Sequence, residues 1–441
     1  MKNLQLLVKV IYLSYIFCFS YLIKGQDKGF GFYNPIFTEC IPKSEREFID
    51  SEIKKSQDKL KKIGLNLAPS NQPVLLDWVL RQRGVNDYSY YGIYNFVDLD
   101  NTSGTKDYSC GSRTYDGHQG LDIFPFPFYW DKMDSDNVEI IAGASGIIIY
   151  KSDGNFDRRC QWGNNGNWNA VYIQHDDGTV AWYGHMKNGS LTTKAVGQTV
   201  SKGEYLGIVG SSGYSTGPHL HLEIRNANNT TIDTYNGSCN DVPSKWTNQK
   251  PYTDSKLLKL MTHNVSPNPY PNCNSNPTDI VNEKKNFVSG EIAYFATYYR
   301  DQISPQVSTH RIIKPDGTIW QQWTTQATNT YVYSSSYWWQ SYFLPSITGT
   351  WKFEVDYLGQ TYETNFNVNT TLPCPTSYNV INNINNATVK FEAKDVINSN
   401  SLIQLQSNIT FDSGKMINLT PGFSIDKGNI FKTQIDGCGG N

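Results

Sequence analysis

The stretch "SSGYSTGPHLHLEI", residues 211–224, places two histidines one residue apart at the start of an apolar strand. Side chains of a β-strand alternate between two faces with a period of two residues. One face is therefore polar, with His219, His221 and Glu223, and the other is apolar, with Leu220, Leu222 and Ile224. We expect the apolar face in a core and the histidine face held rigid towards a cleft or solvent. Two imidazoles held in this way suit metal binding or proton transfer, although half-exposed surface histidines have the same pattern.

Composition and charge limit the classes of protein to consider. The chain has 441 residues and a net charge of −2, with 38 basic and 40 acidic residues. Because no lysine- or arginine-rich run occurs, nucleic acid and an anionic membrane surface are not expected as main partners. The 29 tyrosines, 20 phenylalanines and 11 tryptophans, with only 18% charged residues, are typical of a β-rich extracellular protein.

The first 25 residues have the pattern of a secretory signal peptide. Lys2 and Lys9 precede an apolar run from Val10 to about Ile23, and a polar break follows near Gly25. The alternative is an uncleaved N-terminal anchor, for which the run is short. We therefore expect a secreted protein, extracellular or periplasmic and with or without cell-surface attachment, and no stable membrane span after signal removal.

The cysteines are expected to form disulfides. Cys18 would leave with the signal, so seven of the eight cysteines remain, and in an oxidising compartment most of them pair. We predict a Cys110–Cys160 bond, because these residues flank the candidate site loops. We predict a second between Cys374 and Cys438, which enclose the last module. No CxxC pair occurs, so a cysteine-based structural zinc site is not expected.

The mature chain is predicted to contain four regions, and the first two lead up to the candidate site. Residues 26–105 form a small α+β N-terminal region with a helix that starts at a Ser44–Glu47 capping box and ends at Gly64. Residues 106–264 form a Gly-punctuated series of short strands that holds most of the histidines.

The remaining two regions are also predicted to be β structures. Residues 275–370 fit an Ig-like β-sandwich, with a Pro315–Asp316–Gly317 hairpin turn and alternating apolar side chains. Those expected to line one face are Trp351, Phe353, Val355 and Tyr357. Residues 376–441 have very short strands between polar turns, which predicts a small β-stack or solenoid-like module suited to attachment or binding.

Two further motifs lie upstream of the opening stretch. In "RTYDGHQGLDIF", His118 and Asp122 form an H-x-x-x-D pair between glycines that permit tight turns. Together with His221 they supply the three imidazole and carboxylate ligands of a catalytic zinc, although a polar turn before a strand has the same pattern. In "VAWYGHM", Tyr183 and His185 are expected to share a strand face. His175 is expected at a hairpin turn and His263 in a linker, both without a role.

Motifs in this order resemble the lysostaphin-type zinc metalloendopeptidases of the LytM family, which cut bacterial cell-wall peptides. The matching elements, within residues 110–225, are "GSR", "HQGLD", "YGHM", "GQTVSKGEYLGIVGSSG" and "STGPHLHLEI". The resemblance implies an antiparallel β-sheet catalytic domain in a mainly β chain. It also implies one Zn²⁺ bound by His118, Asp122 and His221, with His185 and His219 as catalytic residues. The function implied is hydrolysis of peptide bonds in peptidoglycan cross-links by a zinc-activated water.

Two alternatives to that function remain open at this point. One is an extracellular protease for Gly-rich proteins, and the other is a non-catalytic cell-wall binding or activator protein. Two inserts, residues 124–137 and 153–168, are expected to change the walls of the substrate groove. Their aromatic residues, which would line the groove, are Phe126, Phe128, Tyr129, Trp130, Trp162 and Trp168.

The N-terminal region also has two possible roles. Residues 26–105 either cover the groove before activation or form a structural subdomain packed on the sheet. In the first case Asp98, Asp100 or Asn101 would reach the zinc in place of water.

Overall fold

The computed structural model describes residues 28–32, 41–70, 72–161, 166–270, 273–328, 335–369, 375–381, 383–385, 388–404 and 406–437. The predicted signal peptide lies outside these ranges, and so does the predicted Cys374–Cys438 pair. The chain forms two compact units, 1–368 and 369–441. In the described ranges, no helix combines the length and apolar character that a membrane crossing requires.

The first unit is built mainly from β-strands. Its elements in chain order are β1 (Lys28–Phe32), α1 (Lys43–Lys62), β2 (Leu80–Gln82), β3 (Tyr91–Asn95), β4 (Leu121–Pro125), α2 (Tyr129–Asp134), β5 (Val138–Ile141), β6 (Gly146–Ser152), β7 (Ala170–His175), β8 (Val180–Gly184), β9 (Thr199–Val200), β10 (Tyr205–Ile208), β11 (Leu220–Arg225), β12 (Thr231–Ile232), β13 (Lys256–His263), β14 (Asn286–Val288), β15 (Ile292–Arg300), β16 (Val307–Ile313), β17 (Ile319–Gln326), β18 (Ser336–Phe343), β19 (Gly349–Tyr357) and β20 (Gln360–Asn369).

The candidate site belongs to an eight-stranded antiparallel sheet. Its strand order is β3-β4-β11-β8-β7-β6-β9, with β12 beside the end of β11. A smaller sheet, β10-β5-β2, packs on one face, and the two sheets enclose the main core. Leu220, Leu222 and Ile224 of β11 point into this core. The period-two prediction for the opening stretch is therefore confirmed, and it directs His221 and Glu223 to the opposite face.

Helix α1 packs on that opposite face. Its apolar side chains Ile49, Ile53 and Leu60 are buried against Tyr172 and Trp182 of the large sheet. The predicted helix is thus present, but its predicted start is wrong. Pro42 is the N-cap and makes no side-chain capping bond, so the Ser44–Glu47 capping box does not form.

The predicted end of α1 is correct. Gly64 has a positive φ of 86°, and its amide donates to the Lys61 carbonyl while the Leu65 amide donates to the Leu60 carbonyl. These two bonds form a Schellman motif, for which glycine is the favoured residue because it has no Cβ to clash in the left-handed region.

Strands β13 to β20, together with β1, form a β-sandwich. The sheets β1-β18-β15-β13 and β14-β20-β19-β16-β17 enclose a second core, and the four predicted side chains of β19 all contribute to it. The Pro315–Gly317 turn joins β16 to β17 as predicted. Strand β13 pairs with β15, so His263 is a buried strand residue and not part of a linker.

Phe126, Phe128 and Trp130 of the first insert, residues 124–137, do not line a groove. Phe126 and Phe128 are buried against Met261 and Tyr298 of the sandwich, and Trp130 packs in a small cluster beside them. Their burial removes these three rings from the expected groove walls, because apolar rings gain more from burial between two sheets than from facing water. Trp168 is also buried, and Trp162 lies outside the described residues.

The disulfides differ from the predicted pairing. Cys110 bonds Cys239 and Cys160 bonds Cys273, with Cα–Cα distances of 5.1 and 5.5 Å. The predicted Cys110–Cys160 bond is therefore wrong. Both observed bonds join segments more than 100 residues apart, and sequence spacing carries no information on such contacts.

The second unit is a parallel β-solenoid, as the short-strand pattern predicts. Its strands are β21 (Ser377–Val380), β22 (Ile384–Asn385), β23 (Thr388–Ala393), β24 (Val396–Ser399), β25 (Leu402–Gln404), β26 (Asn408–Ser413), β27 (Met416–Leu419), β28 (Ser424–Ile425) and β29 (Ile430–Gln434). They stack as three parallel sheets, β21-β24-β27, β22-β25-β28 and β23-β26-β29. Ile397, Ile403 and Phe411 are among the side chains that fill the interior.

Candidate active site

Three buried side chains place potential metal-binding atoms close together. His118 Nε2 lies 3.2 Å from Asp122 Oδ2 and 3.3 Å from His221 Nδ1, and His221 Nδ1 lies 2.9 Å from Asp122 Oδ1. All three residues are buried, and their ligand atoms lie within 4.8 Å of one another. Within the described ranges, no other group of three His, Cys, Asp or Glu side chains brings its ligand atoms this close together.

Neighbouring strands bring two of the three residues together. Asp122 in β4 is directly opposite His221 in β11. Leu121 and Ile123 point into the core, so the Asp122 carboxylate is directed to the histidine face. Asn95 of β3 donates to Asp122 Oδ2 at 2.8 Å and orients the carboxylate.

The loop that carries His118 is held by the segment after β3. His118 Nδ1 lies 2.7 Å from the Phe96 carbonyl, which only accepts hydrogen bonds, so Nδ1 carries the proton and Nε2 the lone pair. The Gly117 amide donates to the Asp98 carboxylate. Asp98 therefore supports the loop. Asp100 accepts from Thr102 within its own turn, and neither carboxylate belongs to the metal-type group.

A buried carboxylate supports His221 from behind. Glu223 Oε2 lies 3.3 Å from His221 Nε2, so this nitrogen donates to it and Nδ1 is left with the lone pair. Arg46 of α1 and Arg225 each contact Glu223 at 2.7 Å. Burial raises the pKa of Glu223, but Arg46, the His221 hydrogen bond and Arg225 outweigh that effect and lower the pKa far below its ordinary value.

The other two predicted site histidines lie beside this group. The ring centroids of His185 and His219 are 4.4 Å apart, and His219 Nε2 is 3.8 Å from Asp122 Oδ1. His185 Nδ1 donates to the Ser212 carbonyl and His219 Nδ1 to the Gly217 carbonyl, which fixes both tautomers with the lone pair on Nε2.

His185 reaches the site by a route that strand alternation does not predict. Tyr183 points into the core, away from the site. His185 follows the end of β8 and has a positive φ of 59°. This left-handed residue reverses the expected direction, so the prediction that Tyr183 and His185 share a face is wrong. The Trp168 ring packs 4.9 Å from His185 and 5.7 Å from His221.

Gly120 is required by the close approach of His221. A Cβ at position 120 would lie 2.5 Å from the His221 ring and 2.9 Å from a backbone oxygen. We expect Gly120→Ala to displace the ring and to lower turnover about 100-fold, the loss that a misplacement of about 1 Å can cause. The zinc content and peptide hydrolysis that the resemblance implies would measure this effect, with the exposed Asp116→Ala of the same loop as control. Unchanged turnover in folded Gly120→Ala would contradict the steric argument.

Sequence reasoning assigned no role to several residues that shape the site. Glu223 was visible as the third member of the i, i+2 pattern on the histidine face, which is the signal that could have identified it. Arg46 and Asn95 come from distant segments and carry no local signal. His175 ends β7 and lies outside the site, as expected.

The comparison with known proteins places this site in a family. The model of peptidase family M23 matches residues 117–234. DD-carboxypeptidase/endopeptidase Mpg of Neisseria meningitidis is 42% identical over 84 residues, 19% of this chain and 16% of the relative. Peptidoglycan DD-endopeptidase ShyC of Vibrio cholerae is 38% identical over 19% of this chain and 17% of the relative. Glycyl-glycine endopeptidase ALE-1 of Staphylococcus capitis is 29% identical over 26% and 32%, respectively.

These matches concern the peptidase segment, since the chain spans less than a third of each of these relatives. Among solved structures, the catalytic domain of lysostaphin from Staphylococcus simulans is 25% identical, covers 32% of this chain and 86% of that domain, and has a TM-score of 0.21. Residues 117–234 contain all five predicted site residues, which are His118, Asp122, His185, His219 and His221. The chain therefore carries a peptidase family M23 domain, homologous to lysostaphin-type, Mpg and ShyC endopeptidases, and its homologues are peptide hydrolases.

Proposed function

We propose that this protein is a secreted zinc metalloendopeptidase that hydrolyses peptide bonds in bacterial peptidoglycan cross-links. The observation that carries the proposal is the buried group of His118, Asp122 and His221 with His185 and His219 beside it. Family membership of residues 117–234 supports peptide hydrolysis, and the relatives named above support cell-wall peptides as the substrate.

The three ligand atoms fit a zinc ion. Hydrogen bonds direct the lone pairs of His118 Nε2 and His221 Nδ1 towards the Asp122 carboxylate, so three electron-rich groups face one another at 2.9–3.3 Å. Such an arrangement is repulsive unless a cation or proton lies between the groups. Two imidazoles and a carboxylate are a usual catalytic zinc set, and zinc bonds of about 2.0 Å in a tetrahedron separate ligands by about 3.3 Å.

Zinc bound by these residues would supply an acidified water and a Lewis acid for the peptide carbonyl. The chain itself supplies two neutral imidazoles. Because Nδ1 of His185 and His219 donates to a backbone carbonyl, each Nε2 is poised to take a proton from water and return it to the leaving amine. A protonated imidazole also donates a hydrogen bond to the developing oxyanion.

The remaining regions suit delivery and retention at a cell wall. The apolar N-terminal run supports export, and the β-sandwich and β-solenoid offer surfaces for attachment outside the peptidase segment. We place the protein outside the cytoplasm, extracellular or periplasmic.

A digestion experiment tests the substrate and the metal together. Purified mature protein should release new amino termini from peptidoglycan sacculi, a chelator should stop the release, and added Zn²⁺ should restore it. His118→Ala protein serves as the inactive control. A pentaglycine peptide and an elastin-like protein are digested in parallel.

The outcomes separate the possible functions. Release from sacculi supports the proposal, whereas cleavage of the elastin-like protein alone would identify an extracellular protease. Zinc-loaded protein that cleaves none of the three substrates would contradict the proposal and favour a cell-wall binding role.

A further inference from the structure

Helix α1 makes an ion pair with Glu223, the carboxylate that contacts the proposed metal ligand His221. Arg46 lies in the first turns of α1, and its guanidinium contacts the Glu223 carboxylate oxygens at 2.7 and 3.0 Å. The Arg46 side chain is 12% exposed and Glu223 is fully buried. Ion pairs of this kind are much less screened by solvent than surface pairs.

The contact leads directly to His221. The Glu223 oxygen bound by Arg46 at 2.7 Å is the same Oε2 that lies 3.3 Å from His221 Nε2. A buried carboxylate that accepts from the outer nitrogen of a metal-bound histidine fixes the ring orientation and tautomer. Removing Arg46 would allow this oxygen to turn away, and the direction of His221 Nδ1 would no longer be fixed.

Helix α1 is anchored on the sheet by a second polar contact as well as by its apolar face. Arg225 donates to Glu223 Oε1 at 2.7 Å and to Asp50 of the helix at 2.8 Å, and its guanidinium lies 3.8 Å from the centre of the Trp182 ring. The helix, β11 and β8 thus share one network, which holds Arg46 in register with Glu223.

We propose that Arg46 is a positioning residue of the peptidase, which orients the ligand His221 through Glu223. Helix α1 therefore contributes to the geometry of the site. This inference rests on the proposed function, because it requires zinc at His118, Asp122 and His221. It gives residues 43–62 a role different from that of a removable cover.

Zinc affinity of the full mature chain tests the inference, measured by competition with a chromophoric chelator. Outer-shell changes typically cost 10–100-fold in metal affinity, so we expect Arg46→Gln to weaken zinc binding by that factor and Arg46→Lys to recover part of the loss. Lys55→Gln is the matched control, because Lys55 pairs with Glu52 at the exposed surface of the helix. Thermal unfolding establishes that each variant is folded.

A double variant separates positioning from general structural damage. If Arg46 acts through Glu223, then Glu223→Gln should weaken zinc binding at least as much, and Arg46→Gln combined with Glu223→Gln should add little further loss. Glu223→Gln and Arg46→Lys keep the test informative if Arg46→Gln does not fold.

The possible results are distinct. Arg46→Gln that binds zinc as tightly as Lys55→Gln, additive losses in the double variant, or faster turnover after Arg46 is changed would overturn the inference while leaving the proposed function intact. Wild-type protein that binds no zinc would overturn both.

Discussion

Replacing His118, Asp122 or His221 is expected to remove both the bound zinc and the hydrolysis of peptides. Each residue contributes one of three converging ligand atoms, and a site with two ligands loses the geometry that a catalytic zinc requires. Asp122→Asn is the sharpest variant, because it keeps the size of the side chain and the hydrogen bond from Asn95 while removing the charge. We expect turnover to fall to the background rate.

Metal analysis and sacculus digestion measure this result on the same samples. Asp116→Ala is the control, because Asp116 is exposed and lies in the loop that carries His118. A folded variant that retained one zinc per chain would show that the changed residue is not a ligand.

His185→Ala and His219→Ala are expected to keep the zinc but to lose turnover by about 100- to 10,000-fold, the range for loss of a general acid or base. Their rings lie beside the metal group, and their tautomers are fixed by backbone carbonyls, which suits proton transfer more than ligation. The loss should appear mainly in kcat, because the imidazoles act on the transition state.

His175→Ala is the matched control for these variants. It removes an imidazole of the same sheet whose Nδ1 contacts the Ser145 carbonyl away from the site. Loss of zinc from either His185→Ala or His219→Ala would show that the division into ligands and catalytic residues is incorrect.

The structure changes how residues 26–105 are interpreted. Strand β3 forms the edge of the large sheet, Asn95 orients Asp122, and the Phe96 carbonyl fixes His118. A chain that began near Lys106 would lose these contacts. We therefore expect it to be less active than the mature protein, which is opposite to the result for an inhibitory segment.

Local pattern in the sequence was sufficient to predict the two faces of the strand that holds His221. Alternation with period two depends only on strand geometry, so it correctly separated Leu220, Leu222 and Ile224 from the histidine face. The same alternation predicted the buried face of β19, and the glycine at position 64 predicted the end of α1. Both predictions rely on residues that are neighbours in the sequence.

Contacts between distant segments could be read only from the tertiary structure. The partners of Cys110 and Cys160, the burial of Phe126 and Phe128 against the sandwich, and the Arg46–Glu223 contact each join residues separated by more than 100 positions. Even locally, the positive φ of His185 overrode strand alternation. The sequence by itself therefore determined the face of β11 that carries His221, and it supplied the candidate site residues. Which segments support them depends on packing and charge pairing across the fold, for which no periodic signal exists.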